Sequence, residues 1–98
     1  MLSKFRVWVS REQYDQLNTT RQEAGLSWPN FTALLAWRLN FLDTPPRLPD
    51  NGDLFRPTLR AHPDDIKALK TYVTENNLRY RDVIIHAASN VPREEREL

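Results

Sequence analysis

Residues 4 to 10 read KFRVWVS and residues 56 to 61 read RPTLRA. Side chains on an extended strand alternate between faces, so Lys4, Arg6 and Trp8 share one side of the first stretch and Phe5, Val7 and Val9 the other. A shift of 52 residues carries the first three onto Arg56, Thr58 and Arg60. Together these six residues offer four cations, one hydroxyl and one indole, with no acidic residue in either stretch. Their chemistry is donation to hydrogen-bond acceptors and anions, with the ring free to pack on a flat surface. The competing reading is that Lys and Arg blunt exposed edge strands against aggregation, which requires no ligand.

Catalytic and metal chemistry find little to build on. The chain has no cysteine, and its two histidines, His62 and His86, lie in different segments without a His-x-x-x-His pair or a carboxylate at ligand spacing. No metal or other cofactor is expected, and His86 reads as a packed histidine. Gly25 and Gly52 are the only glycines, which rules out a glycine-rich phosphate loop, and no Ser or Thr has an adjacent base. An enzyme is not expected.

At 98 residues and 40% hydrophobic, the chain suits one small domain without disulfide staples. The absence of cysteine fits a reducing compartment, and a cytoplasmic location is expected. The apolar run ALLAW, residues 33 to 37, is too short to cross a bilayer, and MLSKFR lacks the apolar core of a signal peptide. A net charge of +1 identifies no partner, so the electrostatic argument rests on where the charges sit.

The elements that must position the six residues follow from local signals. Ser10 is a helix N-cap before REQYDQLNTTRQEA, whose Tyr14, Leu17 and Ala24 face one way, and Gly25 can close that helix in the left-handed conformation. Ser27 caps a second helix with Pro29 in its first turn and Phe31, Leu34, Leu35, Leu39 and Leu42 at helical spacing. Residues 43 to 53, DTPPRLPDNGD, form a linker rich in turn formers. After it the pattern restarts. The same 52-residue shift, without a gap, lays Leu59 on Val7, Ala61 on Val9, Ile66 on Tyr14 and Leu69 on Leu17. It also lays Asn77 on Gly25, Leu78 on Leu26, Tyr80 on Trp28, Val83 on Phe31, Ala87 on Leu35 and Val91 on Leu39. Physical role repeats more than identity, as expected of a duplicated supersecondary unit. Neither unit can bury its apolar stripe alone, so the two share one core and their strands pair.

KFRVWVSREQYDQL followed by AGLSWPNFTALL, and RPTLRAHPDDIKAL followed by NNLRYRDVII, resemble the ribbon-helix-helix proteins of the Arc and MetJ class, with both copies fused in one chain. The likeness covers almost the whole chain. It implies a mainly α fold with a two-stranded antiparallel β-ribbon, in the order β-α-α-β-α-α, as a pseudo-dimer that is monomeric in chain count. The first copy would span 3–42, the linker 43–53, the second copy 54–92 and a solvated tail 93–98. Asn77 stands where the family has glycine, and Arg79 where it has the capping serine.

The resemblance implies that the ribbon enters the major groove of duplex DNA, with Lys4, Arg6, Trp8, Arg56, Thr58 and Arg60 at base edges. Arg and Lys donate to guanine, Thr to either partner, and a two-stranded ribbon fits that groove. Phosphates would be held at the helix starts, by Arg11, Ser27, Trp28 and Asn30 in the first copy and by Arg79, Tyr80 and Arg81 in the second. A fused pair has two different strands and can read an asymmetric site, and copies could line up side by side on repeated subsites. Three functions follow from these readings. The first is a transcriptional regulator, a repressor that occludes a promoter. The second is an accessory protein at the transfer origin of a conjugative plasmid, where it would help a relaxase. The third, of another class, is a protein-binding adaptor that uses Trp37 and Phe41 and leaves DNA alone.

Overall fold

Alternation in the first strand buries Phe5, Val7 and Val9 and leaves Lys4, Arg6 and Trp8 exposed. The computed structural model describes residues 1–49 and 52–91. The tail expected over 93–98, residue 92 and the Asn51 half of the Asn51-Gly52 turn lie outside the described residues. In chain order the elements are β1 (Ser3–Arg6), β2 (Val9–Ser10), α1 (Arg11–Ala24) and α2 (Trp28–Arg38), a 3-10 turn (Leu39–Phe41), then β3 (Leu54–Phe55), β4 (Thr58–Ala61), α3 (Pro63–Glu75) and α4 (Tyr80–Ser89). The chain is therefore mainly helical, with a small antiparallel ribbon.

β1 pairs with β4, setting Lys4 opposite Arg60, Phe5 opposite Leu59 and Arg6 opposite Thr58, and β2 pairs with β3, setting Val9 opposite Phe55. Partner numbers add to 64 in both ladders, from 3 with 61 to 10 with 54, so one register runs through both. The first strand was expected to be continuous to Ser10, but it breaks between Arg6 and Val9. Pro57 lies across that gap, and without an N–H it cannot donate to the ladder.

Each helix starts where its sequence provides a start. The Ser10 hydroxyl accepts from the Gln13 N–H at 3.1 Å, and the Gln13 side chain accepts from the Ser10 N–H at 2.9 Å, a reciprocal capping box. α3 opens on Pro63 with Asp64 and Asp65 in its first turn, beside the positive end of the helix dipole. Gly25 and Asn77 both have positive φ, at 69° and 53°, and lie at corresponding places after α1 and α3. α1 and α3 begin 52 residues apart, as do α2 and α4. The second helix was expected to reach Leu42. It ends instead at Arg38 and tightens into the 3-10 turn, and Leu42 is extended as the chain approaches Pro45 and Pro46.

Both halves feed one core. Phe5, Leu17, Phe31 and Leu35 cluster with Leu59, Leu69, Val83, Ile84 and Ala87. α2 packs on β4, α3 and α4, so the second helix of the first half lies across elements of the second. Residues 43–49 form no helix or strand, but the segment is anchored, with Pro45 buried and Leu48 packed against the core.

Candidate nucleic-acid interface

The ribbon brings Lys4, Arg6, Trp8, Arg56, Thr58 and Arg60 to one exposed face, while Phe5, Val7, Val9, Leu59 and Ala61 line the buried one. On the exposed face Lys4 stands opposite Arg60. Like charges at directly paired positions destabilise a ribbon, so this pairing does not serve stability, and an anion placed over it would relieve the repulsion. At the other end the Arg56 guanidinium lies 5.7 Å from the centre of the Trp8 ring. Arg11, at the start of α1, is exposed, with its guanidinium 4.6 Å over Phe55.

The two helix starts beside the ribbon differ. At α2, Ser27 and Asn30 are exposed, and the Ser27 hydroxyl accepts from the Asn30 N–H at a long 3.4 Å. Trp28 is half-buried, stacked on Tyr14 at 5.9 Å between ring centres, with the Arg21 guanidinium 4.9 Å over its face. Ser27, Asn30 and Arg11 thus sit where an anion could reach them.

At α4 the expectation of phosphate contacts from Arg79 and Arg81 needs correction. Arg81 is only 3% exposed and packed into the body of the protein, so it is not the surface cation that a phosphate contact calls for. The Arg79 guanidinium donates to Asp82 through Nε at 3.2 Å and Nη2 at 3.1 Å, and also to the Leu48 carbonyl. Asp82, fully buried, further accepts from the backbone N–H of Arg79 at 3.0 Å and of Leu48 at 2.8 Å. Tyr80 is half-buried, with its ring edge-on to Phe5 at 4.9 Å. This end of the helix is a structural clasp that fastens the linker to the second half. Sequence reasoning missed Asp82 altogether; the Arg79-x-x-Asp82 spacing was readable, but its link to Leu48 is a long-range contact.

Burial works against ionisation of Asp82. The hydrogen bonds from the Arg79 side chain, from the two backbone N–H groups and the Arg79 charge outweigh it, and hold the carboxyl below its ordinary value. A lowered folded-state pKa means that the contribution to stability is complete above the unfolded value, near 3.9, and disappears as pH falls through the folded value. Asp82→Asn should therefore cost about 3 kcal/mol in urea unfolding at pH 7. Its deficit relative to wild type should shrink below about pH 4. A deficit that stays constant down to pH 2 would contradict this account.

His62 is the N-cap residue of α3 and His86 is half-buried on α4. Among the described residues no three His, Asp or Glu side chains are grouped to hold a metal ion, and no helix is long and apolar enough to cross a membrane. Trp37 and Phe41 are exposed, their rings in edge contact at 4.9 Å, well apart in sequence from the ribbon. No family model matches the chain, nor does any curated protein or solved structure, so the ribbon face has to be interpreted from its own geometry.

Proposed function

We propose that the chain is a tandem ribbon-helix-helix protein that binds duplex DNA in a sequence-specific way and regulates transcription as a repressor. The observation that carries this reading is the single antiparallel register, which gathers Lys4, Arg6, Trp8, Arg56, Thr58 and Arg60 on one exposed, acid-free face. An exposed two-stranded ribbon has the width of the major groove, and its outward residues are donors suited to base edges. Helix starts spaced at 52 residues support the tandem arrangement. Ser27, Asn30 and Arg11 would position the backbone on the first side. With Arg79 and Arg81 engaged in the fold, the second side has fewer phosphate ligands, and the bound duplex is held unequally.

The pseudo-twofold axis passes between Arg6 and Thr58, and Lys4 with Arg60 and Arg56 with Trp8 lie to either side. The two sides differ chemically, so the site read should be asymmetric. An accessory role at a conjugative transfer origin uses the same face, and mapping the selected motif to a promoter or an origin separates the two roles. The exposed Trp37–Phe41 pair favours a second reading, an adaptor that binds a protein through those rings.

Selection from a random duplex pool, followed by titration of the winning sequence across salt concentrations, tests the proposal. The expected result is one enriched asymmetric motif whose log affinity falls with log salt, as Arg11 and the ribbon cations displace counterions from the duplex. No enrichment, or binding independent of salt, would overturn DNA recognition in favour of the adaptor.

A further inference from the structure

A cleft of about 410 Å³ opens beside the Trp8 end of the ribbon. Leu54, Val73 and Leu78 give it an apolar lining, the rings of Trp8 and Tyr80 border it, Arg6 supplies an exposed cation, and Arg81, only 3% exposed, lies in its wall. Among the described residues none that line it is acidic. Arg79, which also borders it, has its charge answered by Asp82.

The corresponding place in the first half is built differently. A shift of 52 residues puts Arg21 where Val73 stands and Trp28 where Tyr80 stands. There the Arg21 side chain covers the Trp28 ring and is pinned by hydrogen bonds to the Leu26 carbonyl at 2.9 Å and the Asn18 side chain at 2.7 Å. With a short valine in place of that long cover, Val73 and Tyr80 both line the cleft. The cleft is thus a departure from the internal repeat and falls within the volume range of small-molecule sites, about 300 to 1,000 Å³.

We propose that this cleft binds an aromatic carboxylate, with its rings among Trp8, Tyr80 and the apolar lining and its carboxylate on the Arg6 guanidinium. Flat apolar walls favour a planar ring over a sugar, whose hydroxyls would be left without partners. A guanidinium with no acid beside it among the described lining residues favours a carboxylate, which its fork can hold through two parallel hydrogen bonds. Arg6 and Trp8 also belong to the exposed ribbon face, so an occupied cleft withdraws two of the six groups offered to DNA. The ligand then acts as an inducer that weakens duplex binding. That consequence rests on the DNA reading, whereas binding in the cleft does not.

Naphthoate titrated into the full chain, followed by calorimetry and tryptophan fluorescence, tests the site. Saturable binding of one molecule per chain is expected, weakened roughly tenfold or more by Arg6→Gln and by replacing the probe with neutral naphthamide. Val73→Arg, which copies the first half, should abolish binding. Leu54→Trp fills the cleft from the half-buried strand end and should do the same if Val73→Arg does not fold. Absence of saturable binding up to about 1 mM, equal binding of acid and amide, or undiminished binding to Leu54→Trp overturns the site. If naphthoate binds but leaves affinity for the selected duplex unchanged, the inducer role is overturned and the site stands. If the chain binds no duplex, the DNA reading fails and the naphthoate titration still decides the cleft.

Discussion

Replacing Arg6 and Arg60 together by alanine is expected to lower affinity for the selected duplex by on the order of a thousandfold, with the fold intact. The magnitude follows from geometry. Both side chains are exposed on the outward face, Arg6 beside the pseudo-twofold axis and Arg60 opposite Lys4. A well-formed contact from each to a base is worth about 1 to 3 kcal/mol, and the two belong to different cross-strand pairs of the ribbon, so their losses should roughly add. Stability should hold or rise slightly, because removing Arg60 ends its repulsion with Lys4. Fluorescence anisotropy on the selected site and on a scrambled duplex checks the result, with urea unfolding as the control for folding. A dissociation constant within threefold of wild type would leave the ribbon without a reading role and return these cations to the protection of edge strands.

Phe31→Ala should cost about 3 to 5 kcal/mol, a large share of the 5 to 15 kcal/mol that holds a domain of this kind together. Phe31 is 1% exposed, its ring lies edge-on to Trp28 at 6.0 Å, and its helix crosses β4, α3 and α4. Removing the ring leaves a cavity at the junction of both halves, where no single element can move in to fill it. The loss should therefore appear as one cooperative transition with a lower urea midpoint and an unchanged slope, and the ribbon should be lost in the same step as the helices. Two separate transitions would show that the halves hold together independently, against the shared core.

Much of this architecture was legible in the sequence because local signals and the long-range repeat agreed. Ser10 and Ser27 mark helix starts through hydroxyl caps, Gly25 and Asn77 mark left-handed corners, and the alternation from Phe5 to Val9 names the buried face of the strand. The six outward residues of the ribbon were legible for the same reason, since alternation and a constant shift suffice to place them. What escaped depended on contacts between distant segments. In sequence Arg81 has the signature of a surface cation, because arginine is seldom fully buried, and only the packing of α4 hides it. Arg79 has the sequence position of a phosphate ligand, because nothing nearby in the chain announces that Leu48 will meet Asp82. The short α2 reflects competition between a helical periodicity that runs to Leu42 and the prolines that follow, which only the folded linker resolves.

Because both strands of the ribbon belong to the same chain, its assembly is unimolecular. A ribbon built from two separate subunits comes apart on dilution, and the fraction able to bind then depends on how much protein the cell holds. Here the second strand is always within reach of the first, at an effective concentration set by the tether and independent of abundance. A dilute solution would hold a complete ribbon on every chain, and halving the amount of protein would halve the number of ribbons in direct proportion, with none of the steeper loss that a dissociating pair suffers.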